Sequence, residues 1–103
     1  MRMLDKLLQG VEVRSLVGDG TVAVGRLEFD SRKVVPGTLF SATRGTQADG
    51  HAYIPAAVAA GAAAVVCEEL PAERPVGVTF VQVPDSTVAL GQVASAFYGH
   101  PSR

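Results

Sequence analysis

Residues 29–64, FDSRKVVPGTLFSATRGTQADGHAYIPAAVAAGAAA, contain the features that decide the fold. The apolar runs Thr38 to Ala42 and Ala63 to Cys67 have the composition and length of short strands. Between them, Pro55 and Gly61 mark the first turn and the end of a helix of about two turns. This order predicts a βαβ unit with parallel strands, whose ligands gather beyond the carboxyl ends of the strands.

The residues before this unit predict a short helix and a hairpin. Apolar residues between Met3 and Leu8 repeat at helical spacing before Gly10, which is typical of a helix ended by a glycine with positive φ. Alternating valines on both sides of residues 18–20, GDG, predict two half-buried strands joined by a tight turn. The alternation changes phase at Gly25, which indicates a bulge or a break between two strands.

The residues after the unit predict one more strand and a last helix. Thr79 to Val83 alternate as in a strand, and the apolar stripe from Ala89 to Phe97 is typical of an amphipathic helix. Either Asp85 or Ser86 can cap that helix. The predicted fold class is therefore α/β, a single small domain with a mixed sheet that contains a βαβ unit and flanking helices.

Composition excludes several classes of protein. With 103 residues, 48% of them apolar and 18% charged, the chain has one domain's length and too apolar a composition for intrinsic disorder. A net charge of −1 without a basic stripe argues against a nucleic-acid partner, and no apolar run is long enough to cross a membrane. The single cysteine, Cys67, and the absence of a charged-then-apolar leader favour a reducing cytoplasm, with Cys67 as a small buried strand residue.

Asp30, Ser31 and Arg32 follow the end of a predicted strand and form the first candidate site. A serine hydroxyl and the fixed donors of a guanidinium suit phosphate oxygens. The alternative is structural, with Asp30 and Arg32 satisfying turn amides and a neighbouring charge. The tripeptide alone does not decide between the two.

A second candidate site is the loop 45–51, GTQADGH, which leads to the amino end of the predicted helix. Backbone groups and Gln47 can match the carbonyls and the N3 hydrogen of uracil, and the helix dipole favours nearby negative charge. The alternative is that Asp49 caps the turn and His51 anchors the loop, and we expect a mainly structural role for His51.

Other chemistries lack the residues that they need. The sequence contains no G-x-x-x-x-G-K-[ST] phosphate loop, no nucleophile elbow and no cysteine and histidine ligand pattern. Glu68 and Glu69 are the only adjacent carboxylates, and their position before Leu70 and Pro71 predicts a solvated pair in a turn. The sequence therefore predicts a binding surface without a reaction centre.

These motifs in combination resemble the amino-terminal domain of Mur ligases, the ATP-dependent amide-bond enzymes that build the peptidoglycan peptide. The resemblance rests on D-S-R, P-G-x-L-F-x-A, G-x-Q-x-D-G-H-x-[FY]-I and A-x-x-x-G-A-x-A, from about Leu27 to Val66, and more loosely on Phe97 to Pro101. It is greatest to the MurE type, which adds the third residue of the peptide, and the MurF type shares much of the pattern. The resemblance implies a Mur ligase amino-terminal fold.

By resemblance, the substrate-binding residues are Phe29, Ser31, Thr46, Gln47 and Ala48, with possible support from Asp30, Arg32, Asp49, Gly50 and His51. Three positions depart from the family pattern. Thr46 stands where some family members have histidine, Phe29 stands where an aliphatic residue is frequent, and Ser41 interrupts a strand that is usually more apolar. From Thr46 and Phe29 we expect contacts with the base that differ in shape from those of other members.

The resemblance also implies that residues 1–103 form a UDP-binding domain, with the central ATP-binding and carboxy-terminal domains absent from the chain. The implied partner is UDP-N-acetylmuramoyl-L-Ala-D-Glu, together with the remaining ligase domains. No cofactor is expected in this chain, and ATP and Mg²⁺ are implied for the parent ligase. The chain alone is expected to be non-catalytic. The alternative is a standalone nucleotide-sugar-binding module, which the downstream coding sequence would distinguish from a ligase.

Overall fold

A mixed sheet flanked by helices organises the chain in the computed structural model, which describes residues 2–42, 50–71 and 77–98. The strands within these ranges are β1 (Arg2–Met3), β2 (Ser15–Val17), β3 (Ala23–Val24), β4 (Arg26–Glu28), β5 (Thr38–Ser41), β6 (Ala64–Cys67) and β7 (Thr79–Gln82). The helices are α1 (Leu4–Leu7), α2 (Ile54–Ala59) and α3 (Ser86–Tyr98), with 3₁₀ turns at Ser31–Lys33 and Gly50–Tyr53. The predicted fold class is confirmed.

The main sheet places four strand ends at one edge. Among the described residues its order is β2-β7-β6-β5-β4, and β4, β5, β6 and β7 run parallel while β2 is antiparallel to β7. The register sets Glu28 beside Phe40. The residues that follow β4 and β5 therefore leave the sheet from adjacent positions at its carboxyl edge.

The predicted βαβ unit is formed by β5, α2 and β6. Pro55 lies in the first turn of α2, where its missing N–H is not needed, and Gly61 follows the helix with φ of +110°. Because a helical crossover returns the chain to the same end of the sheet, β6 pairs in parallel with β5 as expected. The helix is short, and the 3₁₀ turn Gly50–Tyr53 extends it at the amino end.

The predicted hairpin around residues 18–20 is wrong. β2 pairs with β7, and β3 pairs with β1 in a separate two-stranded sheet. Asp19 binds the backbone N–H and hydroxyl of Thr21, and its own carbonyl accepts from Thr79 Oγ1 at 2.7 Å. This turn therefore fixes the chain against β7 instead of returning it along β2. The predicted break at Gly25 is confirmed, because the chain changes sheets there.

The two faces of the main sheet bury separate apolar clusters. Leu39 points to the face covered by α1 and α3, whereas its neighbour Phe40 points to the face covered by α2. The predicted stripe of α3 supplies Ala89 and Val93 to the first cluster. No helix of the described residues is both long and apolar enough to cross a bilayer.

Ser41 provides a test of how the sheet tolerates a buried hydroxyl. The residue is 1% exposed, and its Oγ has no hydrogen-bond partner among the described residues. Because an unsatisfied buried hydroxyl is costly, we expect Ser41→Ala to raise the free energy of unfolding by about 1 kcal/mol. Chemical denaturation measures this change. Thr38→Val is the matched control, since Thr38 Oγ1 accepts from Val35 N at 3.1 Å and its loss should destabilise. A loss of stability in Ser41→Ala would contradict the expectation.

Candidate functional site

Residues Asp30, Ser31 and Arg32 form a turn directly after β4, and an ion pair between Asp30 and Arg32 spans this turn. Asp30 caps the 3₁₀ turn by accepting from the backbone N–H of Arg32 at 3.0 Å. The Arg32 guanidinium donates to both carboxylate oxygens, through Nε at 3.1 Å and Nη2 at 3.0 Å. The structural interpretation of these two residues is therefore the one that the geometry supports. The ion pair between the Arg32 guanidinium and the Asp30 carboxylate lies across the turn that contains Ser31.

The ionisation of this pair follows from its hydrogen bonds. The side-chain hydrogen bond from Arg32 holds the pKa of Asp30 below its ordinary value, and the backbone hydrogen bond acts in the same direction. The same side-chain hydrogen bond raises the pKa of Arg32, with smaller contributions from the charge of Asp30 and from Tyr53. The pair is therefore charged on both sides at neutral pH, and its net charge is zero.

A cavity of about 430 Å³ lies against this turn. It is lined by Phe29, Asp30, Ser31, Arg32 and Tyr53. The volume falls within the range of small-molecule sites. Two of the sequence-predicted site residues, Phe29 and Ser31, thus lie together with two of the supporting residues.

Tyr53 is a lining residue that the sequence reasoning did not select. It is the aromatic position of the G-H-x-[FY]-I motif, which could have indicated it. The 3₁₀ turn Gly50–Tyr53 ends at this residue, and α2 packs close to the Ser31–Lys33 turn. Packing of α2 therefore brings Tyr53 to the cavity from a distant part of the sequence.

The second predicted loop is only partly described. Thr46, Gln47, Ala48 and Asp49 lie outside the described residues. The backbone of Gly50 and His51 belongs to the 3₁₀ turn, and their side chains are not described. The binding roles of all these residues stay predictions.

At the carboxyl ends of β6 and β7, away from the cavity beside Ser31, two carboxylates of the protein bind the start of α3. Glu68 Oε2 accepts from the N–H of Ser86 at 2.8 Å and from its hydroxyl at 2.9 Å. Asp85 Oδ1 accepts from the N–H groups of Thr87 and Val88. The predicted cap at Asp85 is confirmed. The prediction of a solvated Glu68 is wrong, because the start of α3 folds back against β6 and draws this carboxylate into a partly buried position.

Cys67 fits its predicted structural role. It is fully buried in β6, and this burial raises the pKa of its thiol to about 11. A thiol with such a pKa is a poor nucleophile at neutral pH. The described residues also contain no group of three or more histidine, cysteine, aspartate or glutamate side chains arranged to hold a metal ion.

A larger concave surface, about 610 Å³, lies between α1 and α3. Its polar lining consists of Lys6, Gln9, Thr87, Gln92 and Ser95, which are spread along the groove. Its described lining residues include no ion pair and no aromatic side chain. The smaller cavity beside Ser31 is therefore the better candidate site on chemical grounds.

Comparison with known proteins gives one consistent result. Residues 24–98 match the Mur ligase family, catalytic domain. The chain is 46% identical over 100 residues to the UDP-N-acetylmuramoyl-L-alanyl-D-glutamate--2,6-diaminopimelate ligase of Bacteroides thetaiotaomicron, covering 97% of this chain and 21% of that protein. It is 54% identical over 86 residues to the ligase of the same name from Chlorobaculum tepidum, covering 82% of this chain and 17% of that protein.

Solved structures give the same fold. MurF from Acinetobacter baumannii superposes with a TM-score of 0.77 at 24% identity, over 92% of this chain and 20% of that chain. MurF ligase from Thermotoga maritima, in complex with ADP, superposes with a TM-score of 0.59 at 29% identity, over 67% of this chain and 16% of that chain. The chain therefore spans about a fifth of the length of the relatives that it matches.

Proposed function

This chain belongs to the Mur ligase family, and we propose that it binds the UDP portion of UDP-N-acetylmuramoyl-L-Ala-D-Glu for a MurE-type ligase. The observation that carries the proposal is the cavity beside Ser31, because it combines a hydroxyl, the Asp30–Arg32 ion pair and two aromatic side chains at the carboxyl edge of the sheet. Ligands of open α/β sheets favour this edge. The names of the relatives support the same substrate.

The proposed contacts divide between two segments. Phe29 and Ser31 belong to the cavity, and Thr46, Gln47 and Ala48 are proposed to contact the nucleotide from the second loop. β4 and β5 are adjacent and parallel, so the segments that follow them start from neighbouring positions. This arrangement supports one shared site for the two segments.

The chemistry of the ligation is proposed to lie outside this chain. The sequence has no phosphate loop, and the residues that the structure describes do not group carboxylates for a metal ion. We assign ATP and Mg²⁺ to the remaining domains of a cytoplasmic parent ligase. In that ligase, this chain contributes binding energy far from the reacting carboxylate, which positions the substrate.

Titration of the chain with UDP tests the proposal, by calorimetry or by amide shifts in NMR. We expect saturable binding that Ser31→Ala weakens by about 1.5 to 3 kcal/mol if the hydroxyl contacts a charged oxygen, which is roughly 10- to 150-fold in Kd. Gln47→Ala should weaken it as well. Ser31 is only partly buried, so the fold should tolerate its loss.

Ser95→Ala is the control, because Ser95 lines the groove between α1 and α3. It should leave UDP affinity unchanged. If wild-type protein fails to bind UDP, the proposed function is wrong. If Ser95→Ala weakens binding while Ser31→Ala does not, the nucleotide occupies the other groove and the assigned contacts are wrong.

A further inference from the structure

The cavity beside Ser31 concentrates exposed aromatic surface. Among the described residues the exposed aromatic side chains are Phe29 at 66%, Tyr53 at 48% and Tyr98 at 70%. The first two line this one cavity. The described residues place no ring contact between Phe29 and Tyr53, since the ring pair that they contain is Phe97 with Tyr98. The two rings are therefore separate parts of the cavity lining.

The backbone holds Tyr53 at this position. It is the N-cap residue of α2, with φ of −99° and ψ of 1°, and the next residue, Ile54, is 4% exposed. Pro55 follows and fixes the backbone of the first helical turn. A backbone rotation that turned Tyr53 inward would withdraw Ile54 from the core. The ring is thus held at the surface by its neighbours.

The aromatic surface of the cavity favours a planar, uncharged group. Asp30 and Arg32 pair through two side-chain hydrogen bonds, which use Nε and Nη2 of the guanidinium, so the two charges of this lining sum to zero. Aromatic surface and an internally paired ion pair suit a planar base better than they suit a pyrophosphate.

We propose that Tyr53 is a base-stacking residue that sets the preference of this site for a planar nucleobase. The inference rests on the proposed function, and it identifies which part of the nucleotide occupies this cavity. Phe29 contributes aromatic surface of the same cavity, and Ser31 provides a hydroxyl beside it. The phosphates then lie outside the part of the cavity lined by Tyr53.

Tyrosine fluorescence gives a direct test, because the chain has no tryptophan and two tyrosines. In Tyr98→Phe, Tyr53 is the single tyrosine, and the edge-to-face contact of ring 98 with Phe97 can persist. UDP and uridine should quench its emission saturably, whereas ribose 5-phosphate should not. Free N-acetyltyrosinamide corrects for absorption by the base. In Tyr53→Phe, the remaining Tyr98 should show no saturable quenching.

Affinity measurements complete the test. We expect Tyr53→Leu to bind UDP about tenfold more weakly, Tyr53→Phe to bind within about twofold of wild type, and Tyr98→Phe to be unchanged. Circular dichroism checks that each variant folds. Unchanged affinity in Tyr53→Leu, or equal losses in Tyr53→Leu and Tyr53→Phe, would overturn the stacking role while wild-type binding of UDP preserves the proposed function. Absence of UDP binding by wild type would overturn both.

Discussion

Gly61→Ala should lower the free energy of unfolding by about 4 kcal/mol, because the new methyl group adds a steric overlap to backbone strain. Gly61 has φ of +110°, which side-chain-bearing residues rarely adopt. A Cβ there would lie 2.9 Å from Pro36 Cα and 3.0 Å from Pro36 N. These are backbone atoms, so no rotamer change relieves the contact. The carbonyl of Gly61 also accepts from Gly37 N at 3.2 Å, and displacement would weaken this bond.

Gly10→Ala is the control that separates the backbone strain of a positive φ from the steric overlap with Pro36. Gly10 has φ of +109°, almost the same as Gly61, but no atom lies within 4 Å of its ideal Cβ. We therefore expect Gly10→Ala to lower the free energy of unfolding by about 1 to 3 kcal/mol, from backbone strain alone. Denaturant unfolding of both variants under one set of conditions measures the difference. Equal losses in the two variants would show that the contact between residue 61 and Pro36 adds nothing.

Local signals were sufficient to predict the βαβ unit. Pro55 and Gly61 restrict the backbone within a few residues of themselves, so their effects are visible in the sequence. The small residues between them allow α2 to approach the sheet closely. The same reasoning identified the glycine end of α1 and the aspartate cap of α3.

The hairpin was mispredicted because pairing is a tertiary property. Two valine runs around a glycine turn satisfy the local rules, but β2 finds a longer partner in β7, more than 60 residues away. Thr79 binds the carbonyl of Asp19 and packs against Gly18, where an added Cβ would lie 3.0 Å from Thr79 Cα. Nothing near residue 18 in the sequence indicates this partner.

The sequence predicted which residues belong to the candidate site, but it did not predict which of them lie together in the structure. Ser31 and Phe29 were identified from the motif, and the structure places both at one cavity. The proximity of Tyr53 depends on β4 being next to β5 and on α2 packing near the turn after β4, which local patterns do not specify. Likewise, the sequence left the two roles of Arg32 open, and only geometry shows its guanidinium engaged by Asp30.

The carboxyl edge of the sheet therefore has two structurally different halves. At the β6 and β7 end, Glu68 and Asp85 occupy the amino terminus of α3, where an anion would otherwise bind favourably. At the β4 end, the cavity beside Ser31 is open. Filling one half with the protein's own carboxylates stabilises the start of α3, and it leaves the β4 half of the edge for the ligand that we propose.

Glu68→Ala is expected to cost about 3 kcal/mol of unfolding free energy, since it removes two hydrogen bonds to a charged acceptor. Ser86 is fully buried, and both its N–H and its hydroxyl donate to the same Glu68 oxygen. Without this carboxylate, two buried donors lose their partner at the start of α3. The first turn of α3 should then fray, which also exposes Ala89 to water. Thermal or denaturant unfolding measures the loss.

Comparison within the same helix shows whether the loss is specific to this contact. Asp85→Ala removes the cap for Thr87 and Val88 and should cost about 1 kcal/mol, less than Glu68→Ala, because those donors are exposed to water. A double-mutant cycle with Ser86→Ala should give a coupling energy above about 0.5 kcal/mol for the Glu68 pair. Additive losses would mean that the hydroxyl bond contributes no free energy, and that Glu68 acts through the backbone N–H of residue 86 and through its charge near the helix dipole. Coupled losses identify the hydrogen-bonded pair as the link that joins the end of β6 to the start of α3.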